Sequence, residues 1–298
     1  MPVPGVLKLS EYAEIVERAL AEDLADGGDI TSNALLEDPV PARARVVSRQ
    51  EGVVAGLDVA AYVFERVDSG ITVEKVVEDG DRVQPGELLA VVAGSARSLL
   101  TAERTALNLL GRMSGVATAT ARYVDAVAGT GVKISDTRKT MPGLRVLDKY
   151  AVRAGGGVNH RFGLYDAVMI KDNHLAAVGD LSRSVAAAKS KVGPGTMILV
   201  EVESLSQLEE ALETRADRVL FDNMDLETLA RAVEIAGERV ETEASGGVTL
   251  ENVRQVAETG VDIISVGWIT HSAPQLDIAM EVEPSGSGTG EPSVPSES

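Results

Sequence analysis

The chain contains no cysteine in 298 residues, which excludes disulfides, thiolate nucleophiles and every Cys-ligated zinc or iron–sulfur centre. Histidine is almost as scarce. There are three, and none stands in an HxxxH or HxE spacing of the zinc type. One Trp, five Tyr and three Phe leave little for base stacking. Basic residues are the minority, 28 Lys and Arg against 46 Asp and Glu for a net charge of −18, so the broad cationic face of a nucleic-acid binder is missing. No apolar run approaches the roughly 20 residues that span a bilayer, and the acidic N-terminal stretch has no signal-peptide core. A soluble, cytoplasmic protein with no membrane or nucleic-acid partner is expected.

The little positive charge present is concentrated. Between Arg138 and Lys171 lie seven cations (Arg138, Lys139, Arg145, Lys149, Arg153, Arg161, Lys171) and only Asp148 and Asp166. That segment is +5, which leaves −23 for the remainder. A basic island in an acidic chain suits a small anionic ligand, and its steering is screened beyond about 10 Å at ordinary salt.

Residues 10–25 carry helical spacing, with Tyr12, Ile15, Val16, Ala19, Leu20 and Leu24 on one side. Short β-like runs follow between Ala42 and Ala93, interrupted by the helical DVAAYVFERV. EDGDRVQPGELLAVVAG has the turn pattern of lipoyl and biotinyl carrier hairpins. Lys75 stands before that turn rather than at its tip, so a structural turn is expected there. Residues 99–127 read as one or two helices. Six apolar runs then alternate with helical stretches: VKISDTRK, AVMIKDNH, MILVEVES, RVLFDNM, VETEASGG and DIISVGW. Such alternation means βαβ units and a parallel sheet. The expected fold is therefore α/β: an N-terminal α+β sandwich-like domain (1–104, with 275–283 packing back on it), then a TIM-like, partly open α/β barrel (105–274). Residues 284–298, rich in Ser, Gly and Pro, are expected to be a disordered tail.

Barrel active sites lie at the C-terminal ends of the strands, and each run ends in polar residues: Asp136, Arg138 and Lys139; Lys171, Asp172, Asn173 and His174; Glu201 and Glu203; Asp222 and Asn223; Glu243 and Ser245; Ser265. Residues i and i+2 share a strand face, so Glu201 with Glu203, Asp136 with Arg138, and Lys171 with Asn173 are expected to point the same way. The turns EASGGV and SVGW offer a phosphate cradle at Ser245, Gly246, Gly247, Ser265 and Gly267, with His271 nearby. Glu201 and Asp222, on adjacent strand ends, are either Mg²⁺ ligands completed by substrate phosphate or partners of Lys139 and Lys171. Arg138, His160, Arg161 and Lys171 form a wall suited to a dicarboxylate. No P-loop and no G-x-G-x-x-G after a strand is present.

On AERTALNLLGRMSGVAT, DTRKTMPGLRVLDKYAVRAGGGVNHRFGLYDAVMIKDNH, VEVES, LFDNM, EASGGV and ISVGWITHSAP, the chain strongly resembles the quinolinate phosphoribosyltransferases. The resemblance spans about residues 102–274 in order. It implies condensation of quinolinate with phosphoribosyl pyrophosphate to nicotinate mononucleotide, pyrophosphate and CO₂, with Mg²⁺, in a homodimer with shared sites. It places Thr137, Arg138, His160, Arg161 and Lys171 on quinolinate, joined by Arg104 of a second subunit. It assigns Lys139, Glu201 and Asp222 to phosphoribosyl pyrophosphate and its metal, with Lys171 also catalytic. Ser245, Gly246, Gly247, Ser265, Gly267 and His271 would take the phosphates. Asp148 stands where the family more often has glutamate. The rival expectations are a relative of the molybdenum-operon type with another acceptor, a non-catalytic ligand-binding relative, or an aldolase using Lys171 as a Schiff base.

Overall fold

A computed structural model of the chain describes residues 6–36 and 40–283. The Ser/Gly/Pro-rich segment 284–298, expected to be disordered, lies outside the described residues.

The chain divides into two compact units, Met1–Gly115 with Gln275–Ser298, and Val116–Pro274. The first contains α1 (Leu9–Leu24), α2 (Ile30–Leu35), β1 (Pro41–Ser48), β2 (Gly52–Val53), α3 (Leu57–Val67), β3 (Thr72–Lys75), β4 (Arg82–Val83) and β5 (Leu88–Ser95). Of the six residues expected to line one side of α1, Tyr12, Ile15, Val16 and Leu20 are buried. β5, between β1 and β3 in its sheet, carries the apolar run Leu89–Val92, which is buried throughout. On the supposed carrier hairpin Lys75 ends β3 and pairs with Asp58 at 2.8 Å. It is a structural cation at the edge of an antiparallel sheet.

α4 (Ala96–Ala126) is one continuous helix. The division between the units, at Gly115/Val116, falls inside it, as does the expected boundary at 104/105. Beyond it come β6 (Lys133–Ser135), α5 (Arg145–Ala154), β7 (Ala167–Ile170), α6 (Asp172–Val178), α7 (Leu181–Lys191), β8 (Met197–Val202), α8 (Leu205–Glu213), β9 (Arg218–Asp222), α9 (Leu226–Ala236), β10 (Glu241–Ser245), α10 (Val253–Glu258), β11 (Ile263–Ser265) and α11 (Trp268–His271). β12 (Ile278–Val282) then pairs antiparallel with β1, as the period-two pattern of residues 276–282 leads one to expect.

The six apolar runs are the six strands β6–β11. They form one parallel sheet in the order β6-β11-β10-β9-β8-β7, so the first strand closes on the last. Val158 adds a parallel bridge to Ser135 on the free side of β6. Among the described residues nothing pairs that segment with β7, and the result is a TIM-like barrel open on one side. Parallel strands covered on both faces must be apolar along their length. Ile198, Leu199, Val200, Val219, Leu220 and Phe221 all have 3% exposure or less. Where the apolar run stops, side-chain oxygens start the next helix. Ser204 accepts from the Gln207 N–H ahead of α8, and Asp225 from the Thr228 N–H ahead of α9.

Candidate active site

At the strand ends of the second unit lies a cavity of about 740 Å³, within the usual range for a ligand site. Fourteen of the fifteen residues to which the family resemblance assigns a role line it. The fifteenth, Arg104, is exposed on α4 in the first unit.

The seven cations of the basic island separate into two groups. Arg138, Lys139, Arg161 and Lys171 line the cavity. Arg145, Lys149 and Arg153 hold the backbone behind it. Arg145 donates to Thr140 Oγ1 at 3.0 Å and to the carbonyl oxygens of Phe162 and Arg138. Arg153 donates to Asn159 Oδ1 at 2.8 Å. Lys149, fully buried, donates to Asp136 Oδ1 at 2.6 Å and to the His160 carbonyl at 3.0 Å. Asp136 is itself 0% exposed. Its Oδ1 also accepts the His160 N–H, and its Oδ2 accepts from Asn159. Burial raises the Asp136 carboxyl and lowers the Lys149 ammonium against the attraction between them. Asp136 is therefore an anchor for segment 158–161 and does not join Arg138 in the cavity, contrary to the strand-face expectation.

The cationic wall is primed for an anion. Arg138 Nε and Arg161 Nε are buried without a hydrogen-bond partner, a state that costs about 1–3 kcal/mol per group unless a ligand relieves it. Burial, and then the charge of Arg138, lowers the Arg161 guanidinium from its usual range, although arginine stays protonated. Arg161 is held on one side by the Ala167 carbonyl at 3.1 Å and by Met169 Sδ.

His160 reaches the same wall, but both its nitrogens face protein. Nδ1 accepts the Arg161 N–H at 2.7 Å, and Nε2 stands 3.4 Å from Glu243 Oε1. The buried Ser265 hydroxyl also bonds Glu243, so the side chain expected on phosphate is taken up below the cavity floor. His174 is exposed and does not line the cavity; its Nδ1 accepts the Lys171 N–H at the start of α6. Asn173 and Glu203 are also outside. β8 ends at Val202, so Glu203 lies in the turn, where the alternation of a strand no longer applies.

Beside Lys171, Glu201 and Asp222 lie at the C-terminal ends of the adjacent strands β8 and β9. Glu201 is paired with Lys171 at 3.0 Å, and Asp222 accepts from Asn223 Nδ2 at 2.8 Å. Among the described residues no cluster of three metal-ligating side chains exists. Two neighbouring carboxylates at a cavity edge fit Mg²⁺ completed by substrate oxygens, not an all-protein cage.

The turn after β10 is built to bring backbone to a ligand. Gly246 and Gly247 both have positive φ, +93° and +64°. A Cβ on Gly246 would sit 2.2 Å from Asn223 Oδ1 and 3.0 Å from its backbone nitrogen. Among the described residues no protein acceptor takes the N–H of either glycine. Across the cavity, a Cβ on Gly267 would meet the Lys139 stem at 3.1 Å. Sequence reasoning missed Trp268, Met169 and Leu220 as lining residues, and Asn223 and Glu243 it noted only as strand ends. Asn223 adopts a positive φ, 53°, a conformation in which Asn is enriched.

The two halves of the chain match known models in sequence order. Residues 29–114 match the quinolinate phosphoribosyl transferase N-terminal domain, and residues 116–281 its C-terminal domain. The chain belongs to the quinolinate phosphoribosyltransferase family. It is 47% identical over 274 residues to the carboxylating nicotinate-nucleotide pyrophosphorylase of Mycobacterium leprae (strain TN), covering 90% of this chain and 96% of that one. It is 40% identical over 287 residues to the chloroplastic enzyme of the same name from Arabidopsis thaliana, covering 90% and 82%. The crystal structure of NadC from Streptococcus pyogenes superposes with a TM-score of 0.90 at 40% identity, covering 94% of this chain and 99% of that chain.

Proposed function

We propose that this cavity transfers the phosphoribosyl group of phosphoribosyl pyrophosphate to the ring nitrogen of quinolinate, with loss of the neighbouring carboxylate. The products are nicotinate mononucleotide, pyrophosphate and CO₂, in NAD biosynthesis. The chain is thus a pentosyltransferase. The observation that carries this is one cavity with a wall of Arg138, Arg161 and Lys171, two of whose arginines keep an unpartnered Nε, and a second wall that holds two carboxylates and a glycine turn. A planar dicarboxylate fits the first wall and a phosphorylated sugar the second.

Arg138, Arg161 and Lys171, with Thr137 beside them, hold the two carboxylates. Each charge-assisted hydrogen bond contributes about 1.5–3 kcal/mol. His160 shapes the same wall. The clamp aims the pyridine nitrogen at C1 of the ribose. The nitrogen lone pair forms the new bond as the C1–oxygen bond breaks, and its electrons leave with pyrophosphate. Lys139 neutralises part of that developing charge. Glu201 and Asp222 would hold a Mg²⁺, directly or through water, and when bound it supplies further positive charge to the pyrophosphate oxygens. Gly246, Gly247 and Gly267, with Ser245 and His271 around them, cradle the 5′-phosphate. In the second step the electrons of the C2–carboxylate bond stay on C2, stabilised by the now cationic nitrogen. CO₂ departs and C2 takes up a proton.

The homodimer is part of the same proposal, with the exposed Arg104 of a second copy completing the carboxylate clamp. So is a cytoplasmic location; among the described residues no helix is long and apolar enough to cross a membrane.

The test is direct. Purified protein is incubated with quinolinate, phosphoribosyl pyrophosphate and Mg²⁺, with nicotinate as a parallel acceptor, and nicotinate mononucleotide and pyrophosphate are followed. Product from quinolinate and none from nicotinate is expected. Trp268, the single tryptophan, lines the cavity, so its fluorescence reports binding independently of turnover. A folded protein that binds neither substrate and forms no product would overturn the proposal.

A further inference from the structure

We infer that Glu243 is a positioning residue for the quinolinate end of the cavity, holding His160 as a neutral imidazole with its proton on Nε2. Glu243 has no exposed area, yet it borders the cavity and draws together three strands and segment 158–161. Arg218 at the start of β9 reaches its Oε2 at 2.9 Å and bonds Glu241 at 2.6 Å. Ser265 from β11 donates to Oε1, and His160 Nε2 faces the same oxygen at 3.4 Å.

The other edge of the imidazole decides its state. Nδ1 accepts the Arg161 N–H at 2.7 Å, so a proton on Nδ1 would set N–H against N–H. An imidazolium carries protons on both nitrogens and is excluded while that bond stands. The one remaining proton lies on Nε2, directed at Glu243. The charges around the ring agree. Burial, ahead of the Arg218, Lys149 and Arg161 charges, lowers the affinity of His160 for a second proton, against the pull of Glu243.

The charge of the wall therefore comes from Arg138, Lys139, Arg161 and Lys171. His160 contributes orientation, since the N–H it accepts belongs to Arg161. Glu243 acts one step further back, through the ring. The kinetic part of this proposal rests on the cavity being the quinolinate site; the tautomer does not.

The experiment uses the full chain labelled with ¹⁵N-histidine. Three histidines give a spectrum simple enough to assign by loss of one signal in His160→Gln. A pyridine-type Nδ1 and a protonated Nε2 are expected for His160 from pH 6 to 8, unchanged when quinolinate is added. An imidazolium pattern at pH 7, or a proton on Nδ1, would overturn the inference. In Glu243→Gln and Glu243→Asp, KM for quinolinate should rise about tenfold to a hundredfold, the scale of a misplaced binding group. In those variants kcat and KM for phosphoribosyl pyrophosphate should change far less, and the His160 Nε2 signal should shift as its carboxylate acceptor is lost while Nδ1, still accepting the Arg161 N–H, stays pyridine-type. An unchanged KM for quinolinate with the Nε2 signal unmoved would refute it. If these variants do not fold, or if no transferase activity exists, the wild-type spectrum still decides the state of His160.

Discussion

Removing the Lys149 ammonium should unfold the barrel unit at a markedly lower temperature, and removing Asp136 as well should restore most of the loss. Lys149 and Asp136 are 1% and 0% exposed and meet at 2.6 Å. Burial displaces both groups toward their neutral forms despite that contact. Desolvation therefore costs more than the attraction returns, and the pair is not a net source of stability. Breaking a buried pair from one side leaves an uncompensated charge and costs about 3–5 kcal/mol, whereas replacing both partners is often neutral or stabilising. For Lys149→Met in a unit of this size, at about 2–4 °C per kcal/mol, Tm should fall by roughly 6–20 °C. Asp136→Asn with Lys149→Met should return to within about 1 kcal/mol of wild type.

Thermal denaturation of the wild type, both single variants and the double variant, followed by circular dichroism, closes the cycle. pH adds an independent check. In Lys149→Met the Asp136 carboxyl has lost its cation and sits above its unfolded value. It is protonated when folded and ionised when unfolded, so stability is lost as pH rises between those values. The deficit should accordingly be smaller at pH 5 than at pH 8. A double variant as unstable as the two single losses combined would refute the desolvation reasoning. The double variant also lacks the donor to the His160 carbonyl. Even when stable it should show a KM for quinolinate raised roughly fivefold, the equivalent of about 1 kcal/mol for one hydrogen bond.

Four further outcomes are expected. Because burial lowers the His160 pKa from its ordinary 6.5, the folded protein resists a proton that the unfolded chain accepts. Stability should be flat above about pH 6.5 and fall below it, and His160→Gln should flatten that acid limb in urea titrations. Gly246→Ala forces a Cβ onto Asn223 at a φ that costs an L-residue about 1–2 kcal/mol, so KM for phosphoribosyl pyrophosphate should rise on the order of tenfold and Tm should fall by roughly 2–8 °C. Glu201→Gln and Asp222→Asn should each raise the half-saturating Mg²⁺ concentration, roughly tenfold per lost charged ligand contact, measured in the product assay. Separately inactive Arg104→Ala and Lys171→Ala proteins should regain activity when mixed and allowed to exchange subunits, if the second copy supplies Arg104; hybrids with no activity would remove that residue from the site.

Much of this site is legible in the sequence because a parallel barrel writes its function at a fixed place. Strands covered on both faces must be apolar, so the residue at which Val or Leu gives way to Asp, Glu or Lys marks the mouth. Lys171, Glu201 and Asp222 were found in this way. The same logic fails past the strand end: Glu203 shares the i, i+2 relation with Glu201 but lies beyond β8, where its N–H is taken by Gln207 Oε1 at 2.7 Å and strand alternation no longer sets its direction. The alternation of runs implies a helical stretch between β6 and β7, but the amphipathic spacing of RVLDKYAVRA does not reveal α5, because Asp148 and Lys149 lie on its buried side. Periodicity arguments assume that charge faces water.

The basic island shows the limit most clearly. Sequence position makes its seven cations equivalent, and composition explains all of them by the anionic ligand. The fold gives four to the cavity and spends three on backbone carbonyls, the buried Asp136 carboxylate and the Thr140 and Asn159 side chains behind it. That division has a physical cause. A wall of like charges repels itself, as the effect of Arg138 on Arg161 shows, and nothing apolar can hold the loop that carries it in place. Segment 158–161 has one backbone bridge to β6 and no full ladder. The buried Asp136–Lys149–Asn159 network and the Glu243–His160 contact supply the rigidity that a seventh strand would have provided. Charge that only sequence separation distinguishes thus does two kinds of work, and only the partners on each atom tell them apart.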